Sequence, residues 1–273
     1  MPVISRRVRA FGLAIVFLAA AGPALAAKCG NGPAGFPTWL AAFKKEAAAA
    51  GISAGVVNSA LNGVSYNAGV VALDRRQGHF KKSFAAFSAT RITPGAIARG
   101  RSLLKQQASL LAKIEKRFGV QPEVIVAIWG LETGYGGGMG NTPSIRSLAT
   151  LAYDCRRTAF FTEQLMDALK VIQRGDLSAA EMKGAWAGEV GQTQFMASSY
   201  LKFGIDFDGD GRANLRSVAD ALASTANYLK GYGWAAGQPY GEGSANFAVF
   251  AEWNKASVYQ KTIAAFAQRL AGG

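Results

Sequence analysis

Asp206, Asp208 and Asp210 alternate with Phe207, Gly209 and Gly211. Oxygen donors at positions 1, 3 and 5, with Gly at position 6 for a sharp turn, match the first half of an EF-hand loop for Ca2+. Position 7, Arg212, can contribute only its backbone carbonyl. Position 12 is Ser217 where such loops place a bidentate Glu, and the next acid is Asp220, so a longer loop is needed. Three neighbouring carboxylates in a cationic chain repel one another unless a cation lies between them. Ca2+ is therefore expected, with an ion-free Asp/Gly turn as the alternative.

Glu132 carries a different chemistry. It ends the apolar run Val124–Leu131, directly before the glycine-rich stretch Gly134-Tyr135-Gly136-Gly137-Gly138. Desolvation disfavours the charged form of a carboxyl, so a Glu at the end of a buried helix, under Trp129 and Tyr135, suits a general acid. A helix-terminal Glu bonded to loop amides is the plainer alternative. A third stretch, Gly188 to Tyr200, opens a helix with Gln192 and Gln194, whose neutral amides suit sugar hydroxyls and N-acetyl groups.

The elements that must position these groups read as helices. Phe36-Pro37-Thr38-Trp39-Leu40 opens an Ala-rich helix, and Gly51 and Gly63 punctuate two short ones. Thr93-Pro94 reads as an N-cap with a first-turn proline, starting one long helix to Phe118. Gln121-Pro122 starts the buried helix that ends at Glu132. Further helices are expected at 157–174, 194–203, 215–231 and 258–270, and a short strand at 244–251.

The chain has 273 residues, 30 Lys+Arg against 17 Asp+Glu, and a formal net charge of +13. Residues 2–26 begin with Arg6, Arg7 and Arg9, continue as an apolar run and close on Ala24-Leu25-Ala26, the pattern of a cleaved secretory signal peptide. About 247 residues at about +10 would remain, enough for one large domain. That charge favours a polyanionic partner. The basic residues are dispersed and no recognition motif appears, so nucleic-acid binding is not expected. No later stretch is long enough to span a bilayer. Cys29 and Cys155 both outlast processing, and in an oxidising compartment the pair makes one disulfide. Lys28 before Cys29 argues against a lipid anchor. The single histidine, His79, reads as a surface residue.

Taken together, these stretches resemble the membrane-bound lytic transglycosylase B family, in its soluble periplasmic form. Trp129-Gly130-Leu131-Glu132-Thr133-Gly134-Tyr135-Gly136 is similar to its catalytic motif, and Leu148–Tyr153 followed by Arg156-Arg157 to the next segment. Gly191-Gln192-Thr193-Gln194-Phe195-Met196, the Asp206–Gly211 loop, Ala226-Asn227-Tyr228-Leu229 and Trp253-Asn254 with Ser257 and Tyr259 follow in family order. Upstream, Asp74-Arg75, Phe84, Phe87 and Arg91-Ile92 resemble its N-terminal helical signature.

The resemblance implies a mainly α fold: a lysozyme-like core, a helical N-terminal lobe, an EF-hand-like calcium loop and few strands, in one catalytic domain over 27–273. It implies a monomer that cleaves the β-1,4 bond between N-acetylmuramic acid and N-acetylglucosamine in peptidoglycan, with Glu132 as acid then base and no organic cofactor. Gln194 and Tyr228 map to the N-acetyl region of the sugar. Arg157, Trp253, Asn254 and Tyr259 map to the glycan groove. Asp206, Asp208, Asp210, Arg212 through its carbonyl, and Asp220 map to a structural calcium site.

The chain departs from the pattern in places. Trp253 stands where the family usually has Tyr, keeping a ring to stack on sugar while losing a hydroxyl. Ala185 replaces a serine near the acid, Ala197 a proline, and Glu189 an alanine. Most glycosidases use two carboxylates, so Glu132 with Glu189 could make a hydrolytic muramidase, although a loop Glu is expected to be exposed. A non-catalytic, calcium-stabilised wall-binding protein is the third reading.

Overall fold

The computed structural model describes residues 28–76 and 83–272. The expected leader, residues 1–26, and His79 lie outside them. The described residues form helices α1 (Phe36–Ala49), α2 (Ala54–Leu61), α3 (Ala68–Arg76), α4 (Phe84–Ala89), α5 (Pro94–Gln106), α6 (Ala108–Phe118) and α7 (Pro122–Thr133). Strand β1 (Thr142–Pro143), helices α8 (Ser144–Tyr153) and α9 (Thr158–Arg174) and strand β2 (Lys183–Gly184) follow. Helices α10 (Ala197–Phe203), α11 (Val218–Gly231), α12 (Ala245–Trp253) and α13 (Ser257–Ala271) close the fold.

Helix α7 is the axis. Val124 to Trp129 are all buried, because α5, α6, α11 and α13 pack around it and leave no face for water. The N-terminal helices α1, α2 and α3 form a layer on α8 and α9. Their aromatic seam, Phe36, Trp39 and Phe43 against Tyr153, merges with the main core. The disulfide Cys29–Cys155 ties the first described residues to the α8–α9 junction, beside a backbone bond from Gly30 N–H to the Tyr153 carbonyl (2.9 Å). Strands β1 and β2 pair antiparallel, with Thr142 opposite Gly184 and Pro143 opposite Lys183.

Four expectations are corrected. The helix from 94 to 118 is two helices, broken at Gln107 (φ −100°, ψ 14°), so that α5 faces α7 and α13 while α6 faces α11. Residues 245–253 are a helix and not a strand. Ser244 accepts the Phe247 N–H as an N-cap (3.2 Å), and burial of Asn246, Val249 and Phe250 follows helical spacing. Helix α10 begins at Ala197 rather than 194, because Gln194 adopts φ 55°. Helix α8 is additional, and all its residues but Arg146 are buried.

Candidate active site

Helix α7 ends where Gly134, Tyr135 and Gly136 take φ of 57°, 63° and 82° in succession. This left-handed run stops the helix and leaves Glu132 on its last turn. Gly134 donates to the Gly130 carbonyl (3.0 Å) and Tyr135 to that of Trp129 (3.2 Å). Thr133 locks the turn to the next loop, accepting from Gly136 N–H (2.8 Å) and donating to the Gln192 carbonyl (2.6 Å).

The aromatic walls expected over Glu132 lie elsewhere. The Tyr135 hydroxyl donates to the Ala96 carbonyl on α5 (2.8 Å), and the Trp129 indole donates to Gln192 Oε1 (2.8 Å). Gln192 is thus buried and fully engaged, its amide N–H also reaching the Arg216 carbonyl (2.9 Å), and it offers nothing to a sugar. The residues over the acid come from the far end of the chain. Glu132 Oε1 accepts from Trp253 Nε1 (2.9 Å) at the end of α12 and from the Tyr259 hydroxyl (2.7 Å) in the first turn of α13. Burial pushes the Glu132 carboxyl above 4.5; both hydrogen bonds pull against that rise, the Glu189 charge adds to it and the Arg91 charge opposes it. Burial also raises the Tyr259 phenol well above its ordinary value, and the neighbouring Glu132 reinforces the rise.

Glu132 opens onto a cleft of about 340 Å³ whose walls include Glu189, Gln194, Tyr228, Trp253 and Asn254. The wall at 184–195 is folded by close backbone contact: a Cβ at Gly184 would lie 1.6 Å from the Glu189 carbonyl oxygen. Gln194 donates its amide N–H groups to the carbonyls of Gly191 (2.9 Å) and Met139 (3.2 Å), which leaves Oε1 as the acceptor it can offer. The Tyr228 hydroxyl donates to the Glu252 carbonyl (2.6 Å), and its ring meets Trp253 edge-on at 5.0 Å. Asn254 accepts the Ala256 N–H (2.9 Å) and shapes the corner between α12 and α13.

Two of the expected residues sit in more detailed surroundings. Arg157 pairs with Asp74 alongside Arg156, its guanidinium stacks over the Phe161 ring at 4.6 Å, and its charge acts on Glu189. Glu189 is not an exposed loop residue. It lines the cleft, accepts the Ala187 N–H (3.2 Å), and burial pushes its carboxyl upward, opposed by backbone hydrogen bonds and the Arg157 charge. A loop reading misses it; the signal is Val190, which flanks it and bridges to both Gly184 and Phe195.

At the acidic loop, carboxylate oxygens of Asp206, Asp208 and Asp220 lie within 4.8 Å of one another. Asp220, fully buried in the first turn of α11, accepts from the N–H groups of Phe207 (2.7 Å), Asp208 (3.3 Å) and Asn214 (2.8 Å). Asp210 stands outside this group and accepts the Arg212 N–H (2.8 Å). The Arg212 side chain turns away to the Asp176 carbonyl and Glu181, while its own carbonyl accepts from Asn214 N–H (2.9 Å).

This arrangement has relatives. Residues 35–244 match the model of the transglycosylase SLT domain. Over 147 residues, 54% of this chain, the sequence is 39% identical to membrane-bound lytic murein transglycosylase B of Escherichia coli, and that match spans 41% of the curated relative's length. The fold superposes with a TM-score of 0.83 on SltB3 from Pseudomonas aeruginosa in complex with NAG-anhNAM-pentapeptide, at 34% identity, covering 87% of this chain and 80% of that one. On the Escherichia coli lytic transglycosylase Slt35 in complex with calcium the TM-score is 0.77, at 25% identity, covering 90% and 96%. A mainly helical chain with a half-buried helix-terminal acid in a cleft, matched over most of its length by the domain model, belongs to the transglycosylase SLT domain family.

Proposed function

We propose that this chain is a lytic transglycosylase of peptidoglycan, acting as a monomer outside the cytoplasm after removal of residues 1–26. The observation that carries the reading is the Glu132 carboxyl, half-buried, raised toward its protonated form and opening onto the cleft. Protonated Glu132 gives its proton to the glycosidic oxygen as the bond from the muramoyl C1 breaks. The resulting carboxylate then takes the proton of the muramoyl 6-hydroxyl, whose oxygen bonds to C1. The products are a free N-acetylglucosamine hydroxyl and a 1,6-anhydro end, with no water consumed. Gln194 Oε1, Tyr228 and Asn254 lie where they can meet the sugar, and the Trp253 ring walls the same space. The SltB3 complexes with NAG-anhNAM-pentapeptide and NAG-NAM-pentapeptide support glycan strands as the partner. Wall peptide stems carry carboxylates, so the cationic surface would add a salt-sensitive attraction. Mass spectrometry of fragments released from purified sacculi tests the reading. Anhydromuramoyl ends are expected from the wild type, and Glu132→Gln should release almost nothing. Undiminished digestion by Glu132→Gln would overturn Glu132 as the acid, and sacculi bound but left undigested by the wild type would leave a wall-binding role only.

One observation favours a second reading. Because Glu189 shares the cleft with Glu132, it could serve as the second carboxylate of a hydrolase, and reducing-end muramic acid would then dominate the products.

The acidic loop fits Ca2+ by its donor set: three hard carboxylates converge, and Asp210 and the Arg212 carbonyl are near enough in sequence to complete a shell. The Slt35 complex with calcium supports the same assignment. The ion would supply neutralising charge and bind the 206–211 turn to α11, with no part in the chemistry. A chelator should therefore lower the melting temperature by a few degrees, in proportion to ion affinity, and leave the product pattern unchanged.

A further inference from the structure

Among the described residues, both hydrogen bonds to the Glu132 carboxyl fall on Oε1 and none on Oε2. The two donors differ in kind. An indole Nε1–H can only donate. The Tyr259 hydroxyl could accept, but a proton on Oε1 would have to displace its donation while facing the fixed indole N–H. That N–H is not free to turn away. The Trp253 ring meets Phe195 edge-on at 5.5 Å and 75°, and Tyr228 at 5.0 Å and 76°, while the Tyr228 hydroxyl clamps the preceding Glu252 carbonyl.

We infer that Trp253 is a positioning residue which, with Tyr259, divides the two oxygens of Glu132: Oε1 stays an anchored acceptor throughout, and Oε2 alone releases the proton and recovers it. The role goes beyond the stacking surface that the sequence suggests for Trp253, and it rests on Glu132 being the acid of the proposed reaction. It has a geometric consequence. The proton leaves Oε2 for the glycosidic oxygen, whose bond to C1 breaks; the same Oε2 then takes the proton of the 6-hydroxyl as its oxygen closes on C1. Because the carboxyl does not rotate between the steps, the departing sugar must clear Oε2 before the 6-hydroxyl reaches it.

The charged and titratable groups bearing on this carboxyl are Glu189 on the cleft wall, Arg91 after α4 and Tyr259 on α13; Trp253 does not titrate. Trp253→Phe keeps a ring and removes the N–H. Two readouts separate aim from mere support: the C=O stretch of protonated Glu132, taken by infrared difference against Glu132→Gln, and the pH dependence of kcat/KM on purified sacculi. With Oε1 as the carbonyl oxygen, losing one donor moves the band to higher frequency. It also moves the alkaline limb to higher pH, because the carboxylate loses a stabilising bond. Turnover should fall about tenfold with KM changed little, the scale of one hydrogen bond to a charged group. Tyr259→Phe should move the band in the same direction. If Trp253→Phe does not fold, the wild-type band decides: it must already lie below that of a carboxyl with an unbonded C=O. A band and a limb unmoved in Trp253→Phe, or a wild-type band at the unbonded position, overturns the inference. Activity retained by Glu132→Gln would instead overturn the acid assignment, since the infrared band reads the carboxyl without turnover.

Discussion

Glu132 and Asp74 are both carboxyls withdrawn from bulk water, and each receives two side-chain donors. At Asp74 the donors are the guanidiniums of Arg156 and Arg157, one on each oxygen, with Arg156 also reaching the Asp74 backbone carbonyl (2.9 Å). At Glu132 they are a neutral indole and a neutral phenol, both on one oxygen. Full positive charges saturate the first carboxylate and make it a brace between α3 and the α8–α9 junction. Neutral donors leave the second underpaid for its lost hydration, so burial wins and the proton is favoured. The two sites differ in the charge of their donors and in the oxygens those donors occupy.

The largest effect that tests this contrast comes from Glu132→Gln. Its amide oxygen can accept both existing donors, while the proton that the proposed reaction uses is gone. Turnover should drop about a thousandfold, within the range for a general acid–base group. Stability should move the other way. The folded-state pKa of Glu132 lies above its unfolded value, so between the two the native protein holds more protons than the unfolded chain, and wild-type stability falls as pH rises through that window. The variant lacks this loss. Its melting temperature should match the wild type at acidic pH and exceed it at neutral pH; a lower value at neutral pH would break the comparison.

Asp74→Asn should behave as the mirror image. It leaves two guanidiniums facing a neutral amide and should cost about 2–3 kcal/mol by urea unfolding. That is less than the 3–5 kcal/mol for a fully buried pair, because Arg156 and Arg157 are 41% and 35% exposed and can turn to water. The smallest effect is expected from Glu189→Gln. Removing a like charge should bring the alkaline limb of kcat/KM down by less than about one pH unit, with anhydro products retained. A switch from reducing-end to anhydro products on this substitution would instead support the hydrolytic reading.

Much of this site was legible because its parts are local. An apolar run closed by glycines placed Glu132 at a buried helix end, and the spacing of Asp206, Asp208 and Asp210 announced an oxygen-rich turn. What escaped depends on contacts between distant segments. Trp129 and Tyr135 stand beside Glu132 in sequence, yet helical geometry points them at Gln192 and Ala96, and the walls come from residues 121 and 127 positions later. The partner that holds Arg157, Asp74 on α3, lies 83 positions away in sequence. Residues 245–253 mix apolar and polar positions in a way that serves either period, and only the Ser244 cap and the packing on α13 select the helix. Glu189 looks like a loop residue because glycines surround it, although those glycines let the backbone fold tightly enough to half-bury it.

The separation between Glu132 and its two donors also bears on the chain as it is being made. A chain emerging N-terminus first contains the acid once α7 has formed, but not the indole or the phenol until α12 and α13 are complete. Contacts this far apart in sequence form late, because loop closure must precede them. The two donors are therefore the last parts of this site to be made, and the carboxyl precedes the groups that bond it by 121 and 127 residues.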